Sequence, residues 1–144
     1  MANILVMEDD EHQLELIRHM LTRRGHSVTT TIDATEAYST FCNRSFDLVV
    51  SDIVVRKEGT PFPDGGTTLI RRIRTGLTRK QTPIIAITGA RAMEHPRIIK
   101  SVGAQWVSDV LRKPFEAVAL YQAVDEALSG AEASSSEEKT QSVA

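Results

Sequence analysis

The sequence predicts an α/β protein, a doubly wound parallel sheet with helices on both faces. Three observations carry that prediction. First, short apolar runs rich in β-branched residues alternate five times with segments whose apolar residues recur every three or four positions, the order that builds a parallel sheet covered by helices. Second, four of the runs close on a polar group: Ile4-Leu5-Val6-Met7 on Glu8-Asp9, Phe46-Asp47-Leu48-Val49-Val50-Ser51 on Asp52, Pro83-Ile84-Ile85-Ala86-Ile87 on Thr88, and Val110-Leu111-Arg112 on Lys113. Open parallel sheets build their sites at that carboxyl edge. Third, 144 residues with 41% apolar and 25% charged side chains suit one globular domain with a real core.

The elements follow in order. Residues 3–7 form the first strand. Asp10 then caps a helix, with Gln13 in capping-box position. That helix places Leu14, Ile17 and Leu21 on one face, with Leu16 and Met20 beside them, and Gly25 ends it. Residues 27–31 suit an edge strand. Asp33 caps a second helix and Glu36 completes its box, with Ala37, Phe41 and Tyr38 inward. The central strand covers 46–52. Ile53 to Gly66 reads as a long loop, because Gly59, Pro61, Pro63, Gly65 and Gly66 punctuate it. At 14 residues it far exceeds the usual strand-to-helix connection, and such loops are often functional. A third helix over 67–75 turns Leu69, Ile70 and Ile73 inward and stops at Gly76. A strand over 83–88 follows, then a helix from near His95-Pro96 to Gly103, a strand over 107–112 and a helix over 115–129. The last helix is amphipathic through Val118, Tyr121, Val124 and Leu128. From Gly130 the composition turns to Ala, Ser and Glu with nothing to bury, so 1–129 is the expected domain and 130–144 the expected disordered tail.

Composition excludes several functions. A net charge of −2 makes no whole-chain case for nucleic acid or a membrane surface. No apolar run approaches the roughly 20 residues of a membrane span. The first residues run straight into a strand, with no leader, and the expected location is the cytoplasm. One cysteine, Cys42, rules out an internal disulfide and reads as a buried packing residue. The four histidines lack metal-ligand spacing. Seven Lys/Arg between Arg56 and Lys80 could form a docking surface for an acidic partner, but the solvated face of the third helix is the simpler reading.

The strand ends carry the chemistry. Three carboxylates at one sheet edge repel one another unless something cationic sits among them. Hard oxygen ligands suit Mg²⁺. Lys113 adds a point charge for phosphate, Thr88 adds a hydroxyl, and an aspartate can itself form an acyl phosphate. A lone acid after a strand is usually a helix cap, so the argument rests on four strand ends agreeing.

Those residues, with Asp64-Gly65, Gly103-Ala104 and Lys113-Pro114-Phe115, resemble the receiver domain of two-component response regulators over about residues 3–129. The resemblance implies a (βα)5 flavodoxin-like fold with strand order 2-1-3-4-5. It implies Asp52 as phosphoacceptor from a histidine kinase or a histidine phosphotransfer protein. It implies Mg²⁺ held by Asp9, Glu8, Asp52 and the backbone carbonyl of Val54. Thr88 and Lys113 would contact phosphoryl oxygens, and the Lys113–Pro114 peptide would be cis. The chain departs from the family in four places. Arg56 replaces a proline, the loop to Asp64 and the segment before Lys113 are longer, and Val110 replaces the switch aromatic, with Trp106 off register.

The expectation is a stand-alone receiver that signals by docking a downstream protein or relaying phosphate, with no direct contact to nucleic acid or membrane. The alternative is a receiver-like adaptor that works without phosphorylation. A phosphatase of the haloacid dehalogenase type would want a second aspartate where Val54 stands. A flavodoxin-like cofactor binder would want a phosphate loop where Glu8-Asp9-Asp10-Glu11 stands.

Overall fold

The computed structural model describes residues 1–53, 55–57, 60–62, 66–76, 81–89 and 106–143. Strands β1 (Asn3–Met7), β2 (Ser27–Thr31), β3 (Leu48–Asp52), β6 (Ile84–Thr88) and β7 (Asp109–Arg112) form one parallel sheet in the order β2-β1-β3-β6-β7. Counted among themselves these five run 2-1-3-4-5, with the topological switch between β1 and β3. Among the described residues four helices accompany them: α1 (Glu11–Arg23), α2 (Ala34–Asn43), α3 (Gly66–Thr75) and α4 (Ala117–Val143). The helix expected from His95-Pro96 to Gly103 lies outside the described residues.

Alternation along the strands divides the core in two. Leu5, Met7, Val49, Ile84 and Ala86 pack against Ala37 and Phe41 of α2 and Leu69, Ile70 and Ile73 of α3. Ile4, Val6, Leu48, Val50, Ile85 and Ile87 pack against Ile17 and Leu21 of α1 and Leu120 and Val124 of α4. Each large side chain so buried stabilises the fold by about 1.5–3 kcal/mol before entropy is counted. Because β1, β3 and β6 are covered on both sides, their sequences read as unbroken apolar runs.

Local signals set the helix ends. The Asp10 carboxylate accepts from the His12 and Gln13 amides, as expected for an N-cap. The reciprocal bond departs from the expected box: the Asp10 amide donates to Glu8 Oε1, not to Gln13. In α2, Asp33 accepts from the Glu36 amide, while Glu36 reaches back to the amide of Ile32. At the end of α1, Gly25 has φ +86, a conformation L side chains rarely adopt. Its amide bonds to Thr22 O and that of His26 to Leu21 O, a Schellman pair.

Four expectations need correction. Cys42 is exposed, because the inward stripe of α2 runs through Ala34, Ala37 and Phe41 and leaves the next position outside. Val118 is exposed too: α4 buries Leu120, Ala123, Val124 and Ala127, so its inner face is marked by small alanines rather than by its first valine. The segment read as an irregular loop contains an antiparallel hairpin, β4 (Val55–Lys57) paired with β5 (Thr60–Phe62). Its β-branched and aromatic residues favour strand pairing, and Pro61 is tolerated because both strands are edges. Finally, the helical backbone of α4 continues to Val143, through the segment expected to lack fixed structure. Its Ala, Glu, Gln and Lys residues are strong helix formers, whatever they fail to bury.

Candidate phosphoacceptor site

The sheet register assembles the site. Met7 lies level with Ser51, so Glu8 and Asp52, one residue further on, arrive side by side at the switch point. Asp52 pairs in turn with Ile87, which places Thr88 one step beyond it on the next strand. Thr88 pairs with Arg112, and the Lys113 amide donates to Thr88 O at 2.7 Å, which brings Lys113 to the same edge. Four strands thus deliver five side chains to one place: Glu8, Asp9, Asp52, Thr88 and Lys113. Val54 and Asp64, also named from the sequence, lie outside the described residues.

Three acids and a lysine form a charged cluster beside the neutral Thr88, with Glu8 and Asp52 buried and Asp9 and Lys113 half-buried. Glu8 is 1% exposed and Asp52 4%. Lys113 Nζ lies 2.8 Å from Glu8 Oε2 and 3.5 Å from Asp52 Oδ2, a cation between two acids. Carboxylate oxygens of Glu8, Asp9 and Asp52 all lie within 4.8 Å of one another. Burial, then the Asp52 charge, push the Glu8 carboxyl up to about 7, against the pull of Lys113. Burial works against the Lys113 ammonium, but the Asp52 charge and the bond to Glu8 outweigh it and hold its pKa above the ordinary lysine value. Even with Lys113 beside it, the buried Glu8 carboxyl therefore resists ionisation. The Lys113–Pro114 peptide is cis, as the resemblance implies.

Thr88 is the other anomaly. Its side chain is fully buried and its Oγ1 has no hydrogen-bond partner among the described residues. A buried hydroxyl left unpaired costs about 1–3 kcal/mol, and such groups in native structures point to an absent ligand or a switch. An all-oxygen acidic set in need of positive charge, with a hydroxyl in need of an acceptor, fits a hard divalent cation together with a phosphoryl group.

The architecture and this edge define a class: doubly wound α/β proteins that gather acids, a lysine and a hydroxyl at the topological switch point. The profile described as response regulator receiver domain matches residues 4–125, and the chain belongs to that family. The family's general function is to accept a phosphoryl group in two-component signalling, and its members bind Mg²⁺ at an acidic pocket. The chain is 36% identical over 121 residues to transcription factor SKN7 of Candida albicans, covering 83% of this chain and 19% of that protein. It is 31% identical over 116 residues to regulatory protein VirG of Agrobacterium fabrum, covering 80% of this chain and 41% of that one. The chain thus spans less than half the length of these curated relatives. Among solved structures, a receiver domain protein from Clostridium thermocellum superposes with TM-score 0.75 at 25% identity, covering 92% of this chain and 98% of that one. The receiver domain of a signal transduction histidine kinase from Syntrophus aciditrophicus gives TM-score 0.77 at 26% identity, covering 90% and 92%. No described helix is long and apolar enough to cross a membrane.

Proposed function

We propose that Asp52 is the phosphoacceptor of this receiver domain and that its site works with Mg²⁺. The observation that supports this most is the convergence of Glu8, Asp9 and Asp52 around Lys113 at the switch point. An Asp52 Oδ attacks the phosphorus of a phosphohistidine on a histidine kinase or phosphotransfer protein. The P–N bond breaks, its electron pair and a proton end on the imidazole, and an acyl phosphate forms on Asp52. Asp9, Glu8, Asp52 and the carbonyl of Val54 would hold Mg²⁺, which supplies charge neutralisation for the phosphoryl oxygens when bound. Lys113 pairs with one phosphoryl oxygen. The Thr88 hydroxyl donates to another and so gains the partner it lacks. The changed edge then signals by docking a downstream protein or by passing the phosphate on.

The test is intact-protein mass after incubation with phosphoramidate and Mg²⁺. The expected result is a gain of one phosphoryl group, absent in Asp52→Asn. Full labelling of that variant would move the acceptor elsewhere. No gain by the parent would favour an adaptor that works without phosphorylation.

A further inference from the structure

The central sheet has two edge strands, and their residues differ. β7 carries Asp109 and Arg112 among its four residues, and both are exposed. Charges on an edge strand discourage another strand from adding to it. β2 reads Ser27-Val28-Thr29-Thr30-Thr31, with neither a charge nor a proline. Its register with β1 runs unbroken from Asn3↔Ser27 to Met7↔Thr31, so no bulge twists it away. Among the described residues no strand lies on its other side. The Ser27 amide donates to Ala2 O, and Thr31 O accepts from the Glu8 amide. Ser27 and Thr31 therefore turn their backbone groups toward β1. By alternation Val28 and Thr30 turn theirs outward, and both residues are only half-buried.

We propose that β2 is the contact surface between two copies of this chain, paired antiparallel about a two-fold axis at Thr29, so that their sheets join into one. The proposal does not depend on the phosphoacceptor reading of Asp52.

The first argument is fit. With Thr29 opposite its own copy, Val28 of each protomer lies opposite Thr30 of the other. Each of those pairs exchanges N–H···O bonds in both directions, so every outward group of Val28 and Thr30 finds a partner. The two Thr29 side chains meet in the closer, non-hydrogen-bonded pair, where threonines pack favourably. The same register brings Ile32 level with His26 of the other copy. Ile32 is 51% exposed, a large apolar side chain that the single chain leaves in water.

The second argument is charge. Arg23 ends α1 and is exposed near the amino end of β2. Its neighbour Arg24 is already engaged by Asp125 and by the Tyr121 ring. Asp33 and Glu36, both exposed, stand just past the carboxyl end of β2, where α2 begins. Antiparallel pairing sets the basic end of each strand beside the acidic end of the other. Parallel pairing would set Arg23 beside Arg23 and acid beside acid. Charge therefore selects the antiparallel pair and with it a closed, self-complementary dimer.

The third argument sets the strength. A strand of 5 residues on each side is far smaller than the roughly 20–30 residues a side of a standard interface. The dimer is therefore reversible, with a Kd of about 10–100 µM.

The experiment is sedimentation velocity on the full chain from about 5 to about 500 µM, a range that brackets that Kd. The parent should pass from monomer to dimer. Thr30→Pro removes only an outward N–H, which an edge strand tolerates, and should weaken the dimer roughly ten-fold or more. Arg23→Glu should weaken it about five-fold at low salt, and less as salt rises. Register is read by cross-linking in a Cys42→Ser background. Thr29→Cys should form a disulfide dimer under mild oxidation, because its pair has a Cα separation of about 4.5 Å. Thr30→Cys should not, since the two copies of that residue lie about 8 Å apart. Should Thr30→Pro misfold, this contrast still decides. A parent that stays monomeric throughout overturns the proposal and leaves the edge to an extended segment of another protein. An unchanged Kd in a folded Thr30→Pro or in Arg23→Glu, or equal cross-linking at Thr29 and Thr30, would overturn it as well.

Discussion

The two ends of the central sheet are built on opposite principles. At the amino edge, groups are paired as the chain enters each strand. The Ala2 amide donates to His26 Nδ1 at 3.1 Å, and the Asn3 amide to Asp47 Oδ2 at 2.8 Å. Arg74 donates Nη1 to Thr82 O at 2.7 Å and Nε to Trp106 O at 2.9 Å, tying α3 to the approaches of β6 and β7. At the carboxyl edge, Lys113 lies between Glu8 and Asp52 with Asp9 beside them, and the buried Thr88 hydroxyl has no hydrogen-bond partner among the described residues. One sheet therefore has an end that stabilises and an end that is left short of stability. Unsatisfied polar groups concentrate where a ligand completes them. The same strands serve both ends, so the core holds the strained edge in place.

Mutations that break this contrast should act with opposite signs or different conditions. The largest effect is expected at Lys113. Lys113→Met leaves Glu8 and Asp52 buried without their cation and should cost about 3 kcal/mol in denaturant unfolding at pH 8. The cost should be smaller near pH 5, where Glu8 holds a proton. In metal-free buffer the parent should also respond to pH at this edge. Because the folded Glu8 pKa of about 7 lies above its ordinary 4.5, the native state binds the extra proton between those values. That contribution is full below pH 4.5 and is lost as pH rises toward 7. A Lys113→Met variant as stable as the parent at pH 8 would refute the picture of a lysine holding the acids together.

A smaller effect is expected at the amino edge. Arg74→Met removes the donor from two carbonyls and should cost about 2 kcal/mol, with a shift in Trp106 emission as that carbonyl is released. Unchanged stability and emission would show that the strut is not needed. The smallest effect concerns pH. Burial first, then the N-terminal ammonium and Arg24, hold His26 below its ordinary 6.5, against the opposite pull of Asp125. A depressed histidine gives stability that is full above pH 6.5 and declines as pH falls through the lower folded value. His26→Gln can keep an acceptor for the Ala2 amide, so stability at pH 8 should change by less than about 0.5 kcal/mol. The downward slope below pH 6.5 should flatten. An unaltered slope would place the titrating group elsewhere.

Much of this was legible in the residues. The strand-end acids, Thr88 and Lys113 announced the edge because each closes a buried apolar run, and parallel pairing brings such ends together whatever the helices do. Asp10, Asp33 and Gly25 marked helix ends by chemistry that is local to the chain. What stayed hidden depends on distant partners or on size rather than polarity. Ala123 and Ala127 are buried because helix and sheet approach closely there, which no hydrophobicity pattern records. Arg74 looked like one of seven surface cations, and only the fold shows two carbonyls waiting for it. The hairpin was hidden by Gly59, Pro61 and Pro63, which read as loop punctuation although Pro61 stands inside a three-residue edge strand. The unpartnered state of Thr88 cannot be read from sequence at all, since a threonine at a strand end usually finds an acceptor.

The most direct test of the contrast is the unfolding free energy of the parent and Asp52→Asn at pH 8, each with and without Mg²⁺. If the carboxyl edge is held in surplus negative charge, neutralising Asp52 should stabilise the metal-free protein by about 1 kcal/mol. Mg²⁺ should stabilise the parent and do much less for the variant, since one of its three acids is gone. An Asp52→Asn variant less stable than the parent without metal, with both proteins indifferent to Mg²⁺, would contradict the account.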